Sequence, residues 1–216
     1  MKRYFKDGET VLFQGDSVTD WCRDREPECE TIENLGKGYP RIFKEIYDIL
    51  FPGNKVNFVN RGISGNKIID LINRYEADFK AVDPDFISIM IGINDTWHGI
   101  EDGTNTPVEL FEKRYKQLLS DIKADMPNAK IMILEQFAFT AHPDRLGWDK
   151  DLDAKRAVTR KLAKKYADYF IPMYDIMLDA IKENFTMADM SEDGVHPAEQ
   201  GFSLIATEIM KKLEII

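Results

Sequence analysis

The chain has 216 residues, which sets a prior of one domain over 1–216, and its 44% hydrophobic and 31% charged residues are those of an ordinary globular protein. Its 29 basic against 38 acidic side chains give a net charge of −9, which disfavours a nucleic-acid backbone or an anionic membrane surface as a partner. The basic residues near the start have no apolar run behind them, and the longest apolar stretch, Phe86 to Ile93, is too short to span a bilayer, so cytoplasmic residence is expected.

The first predicted strand is Val11 to Gln14, and Gly15-Asp16-Ser17-Val18-Thr19-Asp20 follows it. An acidic loop from Asp20 to Glu33 then carries Cys22 and Cys29, either free thiols of a reducing cytosol or a disulfide. Past Pro40, Ile42, Ile46, Ile49 and Leu50 form a helical stripe. The second strand, Val56 to Val59, leads into Asn60-Arg61-Gly62-Ile63-Ser64-Gly65-Asn66. The third, Phe86 to Ile91, leads into Gly92-Ile93-Asn94-Asp95-Thr96-Trp97-His98. Pro107 precedes a helix with Phe111, Tyr115, Leu118 and Leu119 on one face. The fourth strand, Lys130 to Leu134, opens a loop bearing His142, Arg145 and Trp148, and the fifth runs from Tyr169 to Pro172. Asp193-Gly194-Val195-His196-Pro197 then precedes a last helix striped by Phe202, Ile205, Ile209 and Leu213. Short apolar strands alternating with amphipathic helices predict a doubly wound parallel sheet in a three-layer α/β/α sandwich. In such a sheet, ligands bind outside the carboxyl ends of the strands.

The chemistry-bearing residues fall at those ends. Ser17 in the first turn serves as a helix cap or as a nucleophile. A glycine N–H after the second strand and the Asn94 amide after the third can donate to a developing oxyanion. His196 has Asp193 three residues upstream, a carboxylate that can fix the imidazole tautomer. Together these are the parts for acyl transfer, and a cap alone would not require all four. No ligand spacing such as H-E-x-x-H accompanies the three histidines at 98, 142 and 196, so neither a metal nor an organic cofactor is expected. Two alternatives are a non-catalytic carbohydrate-binding protein and a receiver-like domain. The latter needs a lysine after the fifth strand, where Pro172-Met173-Tyr174-Asp175 stands.

Gly15-Asp16-Ser17 with Asp20, then Gly62, then Gly92-Ile93-Asn94-Asp95, then Asp193-x-x-His196-Pro197 resemble, in order, the four blocks of the SGNH (GDSL) hydrolases. The resemblance implies a flavodoxin-like sandwich, with Ser17 as nucleophile, His196 as base and Asp193 orienting it. It implies an oxyanion hole of the Ser17 N–H, the Gly62 N–H and the Asn94 side chain. Val18 stands where the family name has leucine. The strings 60–65 and 88–97 are similar to those of the intracellular acetyl-xylan esterases in this family, which implies a small acetylated xylo-oligosaccharide as substrate and assembly as a homo-oligomer. Thioesterases and lysophospholipases share the same blocks and are the alternative. Asp16, Trp21 and Trp97 are taken as substrate contacts, with the two indoles either stacking on a sugar ring or shielding the site. Trp148 lies in a loop that can reach the same rim.

Overall fold

Five runs rich in β-branched and aromatic residues form one sheet: β1 (Thr10–Gly15), β2 (Asn57–Asn60), β3 (Phe86–Met90), β4 (Lys130–Leu134) and β5 (Tyr169–Ile171). The computed structural model describes residues 2–25 and 32–216, so Cys29, and with it any pairing to Cys22, lies outside the described residues. All four strand pairings are parallel, in the order β2-β1-β3-β4-β5. Parallel strands need crossover connections, and helices supply them: α1 (Ser17–Asp20), α2 (Tyr39–Leu50), α3 (Ile68–Asn73), α4 (Ile93–Glu101), α5 (Val108–Asp125), α6 (Asp149–Tyr166), α7 (Met173–Glu183), α8 (Met187–Met190) and α9 (Glu199–Lys212).

Alternate strand residues enter two cores. Val11, Phe13, Phe86, Met90, Met132 and Leu134 pack with residues of α2, α7 and α9 on one face. Leu12, Ile87, Ile89, Ile131 and Ile133 pack with α3, α5 and α6 on the other. Burial on both faces is why these strands read as continuous apolar runs, and the result is the three-layer α/β/α sandwich expected. The order reverses between β1 and β3, which opens a crevice at their carboxyl ends.

The stripes expected in α5 and α9 are buried as predicted. That of α2 is not. Its inward face is Tyr39, Phe43 and Tyr47, whereas Ile49 is 78% exposed. The aromatic stripe at i, i+4 and i+8 buries more apolar area than the isoleucines. The Tyr47 hydroxyl also finds partners inside, receiving the Phe5 N–H at 3.3 Å and donating to Asn54 Oδ1 at 2.8 Å. Among the described residues no helix is long and apolar enough to cross a membrane.

Candidate active site

β1 ends at Gly15, and Asp16 caps α1 by accepting the Val18 N–H at 3.1 Å. Ser17 is thereby the first residue of a short helix at the sheet rim, and its Oγ lies 2.8 Å from His196 Nε2. His196 sits in the turn before α9. Asp193 Oδ1 accepts the backbone N–H groups of Val195 at 2.9 Å and His196 at 2.7 Å, folding the turn back on itself. Asp193 Oδ2 is left to meet His196 Nδ1 at 2.7 Å. Burial opposes ionisation of Asp193, but the hydrogen bonds from the His196 ring and from the two backbone donors outweigh it and hold the carboxyl well below the usual range. An ionised Asp193 fixes the proton on Nδ1 and leaves the Nε2 lone pair facing the hydroxyl. The group of three can pass a proton from Ser17 to the ring.

Trp21 and Trp97 both line the cleft at Ser17, and both meet the imidazole, with ring centroids 5.5 and 5.7 Å from that of His196. Trp148 does not reach the rim. It is 2% exposed and packs against Trp97 at 5.6 Å. Asp16 is likewise not a substrate contact, because it is 1% exposed and its carboxylate is turned inward onto the Val18 N–H. Burial pushes its carboxyl up to about 7, against that hydrogen bond and the nearby His196.

The loop after β2 corrects a second expectation. The Gly62 N–H is already committed to Asn60 Oδ1 at 2.8 Å. A Cβ on Gly62 would come within 2.6 Å of the Asp20 N atom, so this glycine exists for close backbone packing beneath the nucleophile turn. Gly65, three residues on, lines the cleft with Ser17, Asn94 and His196. Its N–H has no acceptor within the described residues, and neither has that of Ser17. Asn94, 4% exposed, gives one amide hydrogen to the Asn66 carbonyl at 3.0 Å and keeps the other. Gly65 was legible: an Asn two residues before a glycine signals an Asx-turn, which occupies the first glycine's N–H and leaves the second.

Three further residues fix this loop. Asp20 accepts the Ser64 N–H at 2.9 Å and its hydroxyl at 2.7 Å, tying α1 to the loop. Arg23 donates to the Gly62 carbonyl at 2.7 Å. Arg74, from the end of α3, donates to the Arg61 carbonyl at 2.7 Å, Gln14 Oε1 at 2.8 Å and Asn66 Oδ1 at 2.9 Å, so one guanidinium locks the loop to the end of β1. The cleft they support has a volume of about 470 Å³.

Residues 13–204 match the GDSL-like lipase/acylhydrolase family. An acetylxylan esterase of Geobacillus stearothermophilus is 29% identical over 208 residues, which cover 95% of this chain and 94% of that protein. Among solved structures, a Parabacteroides merdae protein designated GDSL-like lipase is 34% identical, with 98% of each chain covered and a TM-score of 0.91. Axe2, an acetylxylan esterase from G. stearothermophilus, is 27% identical, with 98% of this chain and 96% of that one covered and a TM-score of 0.85. Axe2 variants with a serine, a histidine or an aspartate changed to alanine are designated catalytic mutants. With the family match running from β1 into α9, this chain belongs to the GDSL-like lipase and acylhydrolase family and is a carboxylic ester hydrolase.

Proposed function

We propose that the protein is a serine esterase that removes acetyl groups from xylo-oligosaccharides. The observation that carries the reading is the run of hydrogen bonds from Ser17 Oγ to His196 Nε2 at 2.8 Å and from His196 Nδ1 to Asp193 at 2.7 Å. Ser17 Oγ attacks the ester carbonyl carbon while Nε2 takes the hydroxyl proton. The carbonyl oxygen becomes an oxyanion, held by the N–H groups of Ser17 and Gly65 and by the free amide hydrogen of Asn94. As the intermediate collapses, the bond to the sugar oxygen breaks and His196 returns the proton to that oxygen. Water then attacks the acetyl-Ser17 ester with His196 again as base, releasing acetate and restoring the hydroxyl.

The substrate class is supported by the acetylxylan esterase relative. A small, open cleft with indoles at its mouth suits a short acyl group on a polar alcohol better than a long chain, which would need an apolar groove. The test is hydrolysis of p-nitrophenyl esters from acetyl to dodecanoyl, followed by acetate release from acetylated xylo-oligosaccharides, with Ser17→Ala alongside. The expected result is a preference for acetyl that falls by something on the order of 10⁶-fold in the variant. A preference for long chains would keep the serine chemistry and refute the substrate. Turnover that persists in Ser17→Ala would refute both.

A further inference from the structure

Arg145 takes no part in the proton relay, yet it is built into the back of it. It ends the turn Pro143–Arg145 between β4 and α6 and is 6% exposed. Its Nε–H donates to the Asp193 carbonyl at 3.1 Å, and Nη2 stands 3.7 Å from Asp193 Oδ2, the oxygen that meets the imidazole. The guanidinium carbon lies 4.2 Å from the ring centroid of Trp97 and 4.9 Å from that of Trp148. A guanidinium withdrawn this far from water is costly unless its charge and donors are used. Here the charge is used by two π faces and by the carboxylates of Asp193 at 3.7 Å and Glu101 at 3.9 Å, and the donors by the Asp193 and Asp144 carbonyls.

We infer that Arg145 is a positioning residue for ester hydrolysis, clamping Asp193 against His196 and setting the pH range over which the imidazole acts as base. The inference rests on the serine-esterase reading above. The clamp acts on the backbone: the carbonyl bond and the stacked, planar group fix where the 193–196 turn sits, and hence the aim of Nε2 at Ser17. The charge acts on protonation, since a cation beside Asp193 favours its anion and opposes formation of the imidazolium.

The other charged or titratable groups around the pair are Glu192 on the same turn, Asp16 under Ser17, His98 and Glu101 on α4, His142 packed against Gly194, and Asp144 beside Arg145. Lys37, Asp189 and Glu199 line the neighbouring groove beyond Trp21. Among the described residues Arg145 is the one permanent cation within 4.0 Å of the Asp193 carboxylate.

The experiment measures kcat and KM for p-nitrophenyl acetate from pH 5 to 9 in wild type, Arg145→Gln and Arg145→Lys, with Ser17→Ala alongside. Arg145→Gln is expected to lower kcat on the order of 10- to 100-fold, with KM changed less than about threefold. It should also move the acid limb of kcat/KM upward by roughly half a pH unit, because the opposing charge is gone. Arg145→Lys keeps the charge and loses the planar fork, so its limb stays in place while kcat remains about tenfold low. Wild-type kcat in Arg145→Gln overturns the inference, and so does a loss of kcat with the limb unmoved, which is what a simple structural prop would give. If Arg145→Gln does not fold, wild-type kcat in Arg145→Lys overturns it alone. Activity surviving in Ser17→Ala would instead refute the esterase site, a different outcome from Ser17-dependent activity indifferent to Arg145.

Discussion

Replacing Asp16 by asparagine tests whether the nucleophile turn conceals a costly carboxylate. The side chain is 1% exposed, and burial moves its carboxyl from 3.8 to about 7. Below about pH 4 the group is protonated folded and unfolded alike and costs nothing. Between 4 and 7 the unfolded chain releases the proton while the folded one keeps it, so native stability falls as pH rises. Above 7 the full cost is present, on the order of 4 kcal/mol, since each pKa unit is worth about 1.4 kcal/mol. Asparagine has the same shape, and its oxygen can still accept the Val18 N–H, so the cap survives while the titration disappears. Urea unfolding of both proteins at half-unit steps from pH 4.5 to 8.5 should show the variant gaining on wild type through that window and levelling above it. A stability difference that does not change with pH would refute the reasoning.

Asn94→Ala removes one donor of the proposed oxyanion hole and should lower kcat by about 10²- to 10³-fold with little change in KM, as steady-state kinetics would show. Gly62→Ala puts a methyl group within 2.6 Å of a backbone nitrogen that cannot swing aside, so thermal melting should fall by several degrees. Lys155 is fully buried, and its ammonium donates to the Asp95 carbonyl at 2.8 Å and Asn105 Oδ1 at 3.3 Å beside the Asp151 carboxylate. Lys155→Met should cost about 2 to 3 kcal/mol in urea unfolding, because the acceptors it leaves have no replacement.

What the sequence disclosed follows the physics of each signal. β1, β3 and β4 were legible because strands buried on both faces are apolar at nearly every position, Gln14 and Ser88 being the buried polar exceptions. In α2 the isoleucines and the aromatics both stand at helical spacing, three of each, and the deeper face goes to the aromatics because burial is decided by area and by hydroxyl partners supplied from Phe5 and Asn54. Ser17 and Asn94 stood out because each lies in the first turn of a helix just past a strand, and Asp193 and His196 because they share one turn ahead of α9. Gly62 is what the family resemblance implies, whereas the Asx-turn signal of Asn60 points past it to Gly65, because the first glycine's N–H is spent on the Asn60 side chain. The roles of Arg145 and Arg74 have no signature in the string for another reason: their partners, backbone carbonyls and side-chain oxygens alike, come from segments brought together only by the fold.

The indoles around His196 give the site an optical property. The chain has three tryptophans, and Trp21, Trp97 and Trp148 all belong to the one aromatic cluster that meets the imidazole. A protonated imidazole quenches the fluorescence of an indole it touches, so emission excited at the red edge of the indole band should dim as His196 gains a proton and recover as it is lost. The proposed base then carries its own reporter, which can be read without substrate, dye or isotope.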